Sequence, residues 1–138
     1  RLPEEVDFTL EEEERILRNI RKSDKDLMLA VFDGDRVVGN VGVHIFHDRT
    51  KVRHRSSLGI AIIQEYCSSG LGTILMERGI DFAKKAGFEQ LELGVFADND
   101  RALCLYKKMG FEEIGRILRA FRLPDGSYID EITMVKML

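Results

Sequence analysis

Cysteine is scarce in this 138-residue chain, which contains only Cys67 and Cys104. The two form neither a C-x-x-C pair nor a metal-ligand spacing, which excludes a disulfide scaffold and a zinc module. Unpaired cysteines of this kind are typical of a reducing compartment, so we expect a cytoplasmic protein.

Long apolar runs and an excess of basic charge are also missing. No run approaches the roughly 18 residues that a membrane span needs, and no signal peptide is apparent, so we expect no membrane partner. Lysine and arginine number 21 against 24 acidic residues, so we expect no nucleic acid partner. The chain has instead 44% hydrophobic residues and neither repeats nor linkers, which predicts a single domain over residues 1–138.

The first half of the chain has the patterns of one helix and an antiparallel meander. Thr9-Leu-Glu-Glu12 is a capping-box sequence, and apolar residues follow it at helical spacing (Ile16, Leu17 and Ile20), so a helix is predicted there. Alternating segments bounded by polar turns then predict three antiparallel strands. These strands are Leu27–Phe32, Val37–Phe46 and Arg53–Ile63, with a tight turn at Asp33–Asp35.

The hydrophobic period changes after residue 63. Apolar residues at helical spacing predict a helix from Leu71 to Ala86, which Gly87 ends. A strand, a second helix and a hairpin follow at Leu91–Phe96, Asp100–Met109, and Glu113–Leu123 with Tyr128–Met137. The strand–helix–strand unit predicts a parallel crossover within a mixed sheet, and therefore an α+β fold.

A glycine-rich loop, Gln64–Gly72, leads into the first of these two helices. Backbone N–H groups at such a junction lie at the positive end of the helix dipole, where they bind phosphate. A P-loop would need lysine and then serine or threonine after the last glycine, but Thr73-Ile74 follows it. A dinucleotide site would need a small residue where Leu75 stands. Glu89 lies near the position of a ribose-binding acid, but the antiparallel meander argues against that fold.

Asn99 and Tyr106 are a second informative pair. Seven residues are nearly two helical turns, so the two side chains lie on the same side of the helix, about 10 Å apart. An amide and a phenol in this arrangement could bracket a long, thin ligand. In the alternative interpretation, Asn99 is only a helix cap and Tyr106 a half-buried core residue.

Together, the loop and this pair resemble the GNAT superfamily of N-acetyltransferases. The family's loop, Arg/Gln-x-x-Gly-x-Gly/Ala, is matched by Cys67-Ser68-Ser69-Gly70-Leu71-Gly72, and its next strand and helix by Leu91–Val95 and Asn99–Phe111. The resemblance implies the GNAT-like acyl-CoA N-acyltransferase fold, a mostly antiparallel sheet flanked by helices, with acetyl-CoA as co-substrate. Cys67 stands where the family has arginine or glutamine. The family's first strand has no candidate ahead of Thr9, so we expect it to be missing.

The resemblance also implies roles for individual residues. The backbone of Ala61 and Ile62 would pair with the pantetheine arm, Asn99 would bind that arm, and Tyr106 would donate a proton to the departing thiolate. The pyrophosphate would be held by Cys67, Ser68, Ser69, Gly70, Leu71, Gly72 and Thr73. The reaction implied is direct attack on the thioester by a primary amine of a small molecule or a peptide N-terminus. A homodimer through the C-terminal strands is a further expectation.

The proton acceptor for this reaction is not apparent in the sequence. Similar proteins place a glutamate at the positions of Ser56 or Gly94, and neither residue can act as a base. Two other proton acceptors stay open: a chain of water molecules, or a carboxylate in the pocket such as Glu92. Asp130 and Glu131 have two interpretations. They would either attract an amine substrate or simply be charged residues at the edge of a strand.

Other uses of these residues lead to rival functions. Cys67 or Cys104 as a nucleophile lacks a histidine nearby in the sequence. His44 and His47 are three apart on a predicted strand and face opposite sides, so we expect no metal site. The alternative function is a non-catalytic acyl-CoA-binding sensor or partner module of the same fold.

Overall fold

The computed structural model describes residues 5–10, 13–47, 49–67 and 69–138, and side chains from Leu17 onward. The described residues form one eight-stranded sheet of order β1-β2-β3-β4-β5-β6-β8-β7 and two α-helices. The strands are β1 Glu5–Leu10, β2 Glu13–Lys22, β3 Leu27–Asp33, β4 Arg36–Ile45, β5 Arg55–Ile62, β6 Gln90–Phe96, β7 Glu112–Arg122 and β8 Tyr128–Met137. The helices are α1 Leu71–Lys85 and α2 Asp100–Lys108.

The helix predicted after the capping-box sequence is wrong. Residues 13–22 form β2, which pairs antiparallel with β3, and Thr9 lies in β1; Glu11 and Glu12 lie outside the described residues. Leu17 is 1% exposed whereas Ile20 is 53% exposed. The two side chains therefore point to opposite faces of the strand, whereas in the predicted helix they would lie on one face. Pairing with the edge of β3 outweighs the weak helical preference of this segment. Strand β1 appears where the sequence offered no candidate.

The antiparallel meander is confirmed in strands β3, β4 and β5. Gly34 lies in the turn between β3 and β4 with a φ of +64°, a conformation that glycine adopts without strain. The core lies between these strands and α1. A Cβ added at Gly79 of α1 would lie 3.0 Å from Leu58 Cδ1 and 3.2 Å from Val41 Cγ2, so glycine lets the helix approach the sheet closely.

The predicted crossover is also confirmed, because β5, α1 and β6 follow one another and β5 and β6 are parallel. Their pairing covers only residues 55–57 of β5 and 90–92 of β6, although the strands continue to residues 62 and 96. The two strands therefore separate after their first residues. This fork is the feature of the fold that positions the candidate site.

The C-terminal hairpin completes the sheet beside β6. Strand β8 pairs with β6 along seven residues of each strand, and β7 forms the outer edge. The hairpin turn contains Gly126 at a φ of +88°, as the Pro124-Asp125-Gly126-Ser127 sequence predicts.

Candidate functional site

The fork between β5 and β6 opens into a cavity of about 430 Å³. Its walls come from β5, the following loop, α1 and α2: Ile60, Ala61, Ile62, Cys67, Gly70, Gly72, Thr73, Asn99, Arg101, Ala102, Leu105 and Tyr106. Strand β5 pairs with β4 over residues 56–62, but its other edge pairs with β6 only up to Ser57. The remaining edge can pair with an extended ligand as with an added strand.

One end of the cavity is the start of α1. Gly70 precedes the helix with a φ of +84°, and none of the described side chains caps the helix. Ile74 N–H already donates to Gly70 O at 3.3 Å, and Leu71 N–H makes only a long contact of 3.4 Å with Ser69 Oγ. The first N–H groups of a helix have no partner within the helix, so those at this end are available to an anion such as a phosphate at the positive pole of the dipole.

Gly72 makes room for the helix start. A Cβ added there would lie 3.0 Å from Leu105 Cδ2 and 3.3 Å from Ile62 Cδ1. Glycine thus allows the start of α1 to lie directly between β5 and α2. A larger residue at the second glycine of the loop would press on the ends of these two side chains.

Most of the residues predicted to bind the cofactor lie around one cavity. Those in its walls are Ala61, Ile62, Cys67, Gly70, Gly72, Thr73, Asn99 and Tyr106. The side chains of Ser69 and Leu71 are not in the walls: the Ser69 hydroxyl donates to Tyr66 O at 2.6 Å, and Leu71 is buried in the core. Ser68 lies outside the described residues.

Asn99 caps a helix and also lies in the wall of the first cavity. Its Oδ1 accepts a hydrogen bond of 3.1 Å from Ala102 N–H, which caps α2. The same residue lies in the cavity wall. Its amide nitrogen has no partner among the described residues, so it remains a donor for a ligand.

Tyr106 is buried but its hydroxyl is unpaired within the described chain. The ring packs near Phe111, with 6.1 Å between ring centroids, and Gly110, whose φ is +95°, follows the end of α2 at Lys108. Phe111 N–H then donates to Tyr106 O at 2.9 Å, which fixes the end of the helix. Burial raises the pKa of the Tyr106 phenol, which keeps it protonated at neutral pH.

A second cavity of about 250 Å³ adjoins the first. The two cavities share Ile60, Asn99 and Tyr106. The second is otherwise lined by Gly94, Val95, Phe96, Phe121 and Glu131. Tyr106 therefore lies where two separate ligands could meet, which is the geometry that a two-substrate transfer needs.

Glu92, named above as a candidate base, is engaged elsewhere. Its carboxylate accepts two hydrogen bonds of 2.6 Å from Arg55 and one of 3.1 Å from Gln90. The bonds from Arg55 hold the pKa of Glu92 below its usual value, against the opposing effect of burial. A carboxylate so stabilised in its charged form is a poor proton acceptor, and it lies in neither cavity wall.

Sequence reasoning missed two cations beside the helix start. Arg101 lies in the wall of the first cavity, and Lys108 Nζ donates to Thr73 Oγ1 at 3.3 Å. Both side chains are on α2, and only the packing of α2 against α1 brings them to the loop. The sequence signal for them was a basic residue on each of two turns of α2. That pattern is equally typical of a helix face exposed to solvent, so it did not indicate a phosphate site.

The histidines give no support to a metal site. His44 Nδ1 lies 2.5 Å from Asp26 Oδ1, and Asp26 also pairs with Arg21. Over the described residues, no group of three or more metal-ligating side chains comes together. The same part of the chain has no helix long and apolar enough to cross a membrane.

A family comparison identifies the class of this site. The model of the acetyltransferase (GNAT) family matches residues 2–111. The chain belongs to the GNAT family of acetyltransferases, and so to the acyltransferase class of enzymes. The resemblance and the α+β fold expected from the sequence are confirmed, and a dinucleotide-binding fold is ruled out.

Individual relatives carry more specific names. The chain is 31% identical over 111 residues to L-amino acid N-acetyltransferase AaaT of Escherichia coli, which covers 80% of this chain and 67% of the relative. It is 28% identical over 97 residues to N-alpha-acetyltransferase 30 of Schizosaccharomyces pombe, covering 70% and 64%. The chain thus spans about two thirds of the length of these relatives.

Solved structures agree with the fold. A GNAT-family acetyltransferase from Streptococcus pneumoniae superposes with a TM-score of 0.79 at 33% identity, over 85% of this chain and 70% of that one. The structure of yncA from Salmonella typhimurium with its cofactor acetyl-CoA gives a TM-score of 0.73 at 19% identity, over 82% and 65%. The second likeness supports the fold alone.

Proposed function

We propose that this protein transfers the acetyl group of acetyl-CoA to a primary amine. The observation that carries this proposal is the fork between β5 and β6, whose cavity extends from the start of α1 to the phenol of Tyr106. The GNAT family membership supplies the reaction class.

The residues present fit acetyl-CoA. The N–H groups at the start of α1 suit a diphosphate, Lys108 and Arg101 add positive charge near it, and the unpaired edge of β5 suits a pantetheine arm. When bound, acetyl-CoA supplies an activated acetyl thioester. The free amide nitrogen of Asn99 would donate to the arm.

Tyr106 has the properties of a proton donor for the leaving thiolate. Its phenol is kept protonated by burial, lies in both cavity walls, and has no partner among the described residues. A hydrogen-bond donor directed at a developing negative charge stabilises the transition state more than the ground state.

The acceptor is proposed to be the primary amine of a small molecule or of a peptide N-terminus. Relatives are named for L-amino acids and for protein α-amines, so α-amino groups are the chemistry that they share. A non-catalytic acyl-CoA-binding role gains no support from these relatives, which are named as transferases.

The test is acetyl transfer to a defined panel of amines. The purified chain is mixed with acetyl-CoA and either L-phenylalanine, L-methionine, phenethylamine, spermidine or a pentapeptide with N-terminal alanine. Free thiol and acetylated product are measured, with the N-acetylated form of each amine as control. Thiol release matched by acetylated product supports the proposal. Tight binding of acetyl-CoA with no product from any amine would contradict it.

A further inference from the structure

Glu131 is a carboxylate in the wall of the second cavity. Tyr106 lines both cavities, whereas Glu131 lines only the second. It lies on β8, paired with Phe96 of β6, and so is diagonal to Gly94. A Cβ added at Gly94 would lie 2.7 Å from both Cδ and Oε2 of Glu131. The carboxylate therefore occupies the space that a side chain at position 94 would take. The glycine is what permits it to reach the cavity.

Two other carboxylates on the strands around this cavity, those of Asp130 and Glu92, are already paired. Asp130 accepts hydrogen bonds of 2.8 Å from Arg119 N–H and from Arg116, which lower its pKa. Glu92 is held by Arg55. Within the described chain, Glu131 has neither an ion-pair partner nor a hydrogen-bond donor. Glu131 is also the one acidic residue among those that line this cavity, so its carboxylate is available to a ligand there.

The rest of the cavity suits a cationic amine with an apolar substituent. Phe96 and Phe121 pack with 4.4 Å between ring centroids and, with Ile60, form its apolar walls. An ammonium group entering here meets one negative charge, that of Glu131. An alkylammonium has a pKa near 10, so at neutral pH it must lose a proton before it can attack a thioester.

We propose that Glu131 is the catalytic proton acceptor for the amine, a proposal that rests on the acetyltransferase function. Glu131 takes one proton from R–NH₃⁺, which leaves R–NH₂. The amine nitrogen forms a C–N bond to the acetyl carbon as the C–S bond breaks, and Tyr106 gives its proton to the departing sulfur. The second amine proton returns to Tyr106, and Glu131 releases its proton to solvent, so the net products are R–NH–acetyl, CoA thiol and one proton.

The first test is Glu131→Gln, which keeps the shape of the side chain and removes its basicity. Phenethylamine and the alanine-terminated pentapeptide serve as acceptors. We expect kcat to fall about 100-fold, with KM for the amine changed less than about threefold and the affinity for acetyl-CoA unchanged. The matched control is Glu112→Gln, an exposed glutamate on β7 outside both cavities, which should behave as wild type.

The second test moves the carboxylate to the neighbouring strand. In Glu131→Ala the space beside Gly94 is vacated, so adding Gly94→Glu places a new carboxylate at the same end of the cavity. We expect Glu131→Ala to be as slow as Glu131→Gln, and the double variant to recover to within about tenfold of wild type. Gly94→Ala alone should displace Glu131 and slow turnover, whereas Gly115→Ala, whose Cβ would meet nothing within 4 Å, should not.

The outcomes separate this proposal from the function on which it rests. A wild-type chain that acetylates neither probe contradicts the acetyltransferase function itself. An active wild type with unchanged kcat in Glu131→Gln overturns the role of Glu131. A defect confined to KM also overturns it, because Glu131 would then only bind the ammonium. A double variant that binds acetyl-CoA normally but stays as slow as Glu131→Ala likewise overturns it.

Discussion

At the residue scale, the chemistry of this site depends on which polar groups are left unpaired. Tyr106 and Glu131 lie in the wall of one cavity, and neither has a hydrogen-bond partner for its side chain among the described residues. Their neighbours Asn99, Asp130 and Glu92 hold structural hydrogen bonds instead. A polar group in a cavity wall that has no protein partner is available to a ligand that enters the cavity.

Removing the Tyr106 hydroxyl tests its role as proton donor. In Tyr106→Phe we expect kcat to fall about 100-fold while the dissociation constant of acetyl-CoA stays within twofold, because the ring packing is kept. Since burial raises the pKa of this phenol above its ordinary 10.0, its deprotonation should not reduce wild-type activity below pH 10. Steady-state kinetics and calorimetry check both points. An equal loss of turnover and cofactor affinity would contradict the donor role.

The Arg55–Glu92 pair predicts a particular dependence of stability on pH. The pKa of Glu92 in the folded protein lies below its ordinary value of 4.5. The contribution of the ionised carboxylate to the unfolding free energy is therefore complete above pH 4.5 and is lost as the pH falls through the folded pKa. In Glu92→Gln we expect about 1 kcal/mol less unfolding free energy at pH 7 and a shallower decline on acidification. Urea unfolding from pH 7 to pH 3 measures this, with Glu112→Gln as control. Parallel profiles for Glu92→Gln and wild type would refute the contribution.

At the element scale, the ligand surface is a junction of β5, α1 and α2. The loop and the start of α1 were predictable because their signals are local: two glycines, a change of period and a helix stop. Residues 13–22 were not, because their apolar residues have helical spacing, and pairing with the edge of β3, which is distant from local sequence signals, overrides it. Glu131 was not identified either, because its closeness to Gly94 depends on the register of β6 and β8.

Lys108 tests whether α2 contributes to phosphate binding at the start of α1. Its Nζ contacts Thr73 Oγ1, so we expect Lys108→Met to weaken acetyl-CoA binding about three- to tenfold through the lost charge. Binding of acetyl-pantetheine, which carries no phosphate, should be unchanged. Lys107→Met is the matched control, since Lys107 pairs with Glu113 instead at 3.4 Å. Calorimetric titrations with both thioesters measure the difference; equal weakening of the two would refute a phosphate contact.

At the scale of the whole molecule, the fork is held open by two packed units of the sheet. Strands β3, β4 and β5 pack on α1 through a core that includes Val41, Val43 and Leu58, while β6 is fixed by its long pairing with β8. The cavity is therefore formed by the strand pairing and helix packing of the fold itself. The expected homodimer stays a prediction; the exposed Ile114, Ile117 and Leu118 of the edge strand β7 are where it would form.

A crystal structure of the chain with acetyl-CoA would show directly whether the start of α1 binds the diphosphate. We expect the diphosphate oxygens within hydrogen-bonding distance of backbone N–H groups of residues 70–73, and the pantetheine arm along the free edge of β5. The thioester sulfur should lie beside the Tyr106 hydroxyl. A diphosphate bound elsewhere, with side chains filling the start of α1, would contradict the account.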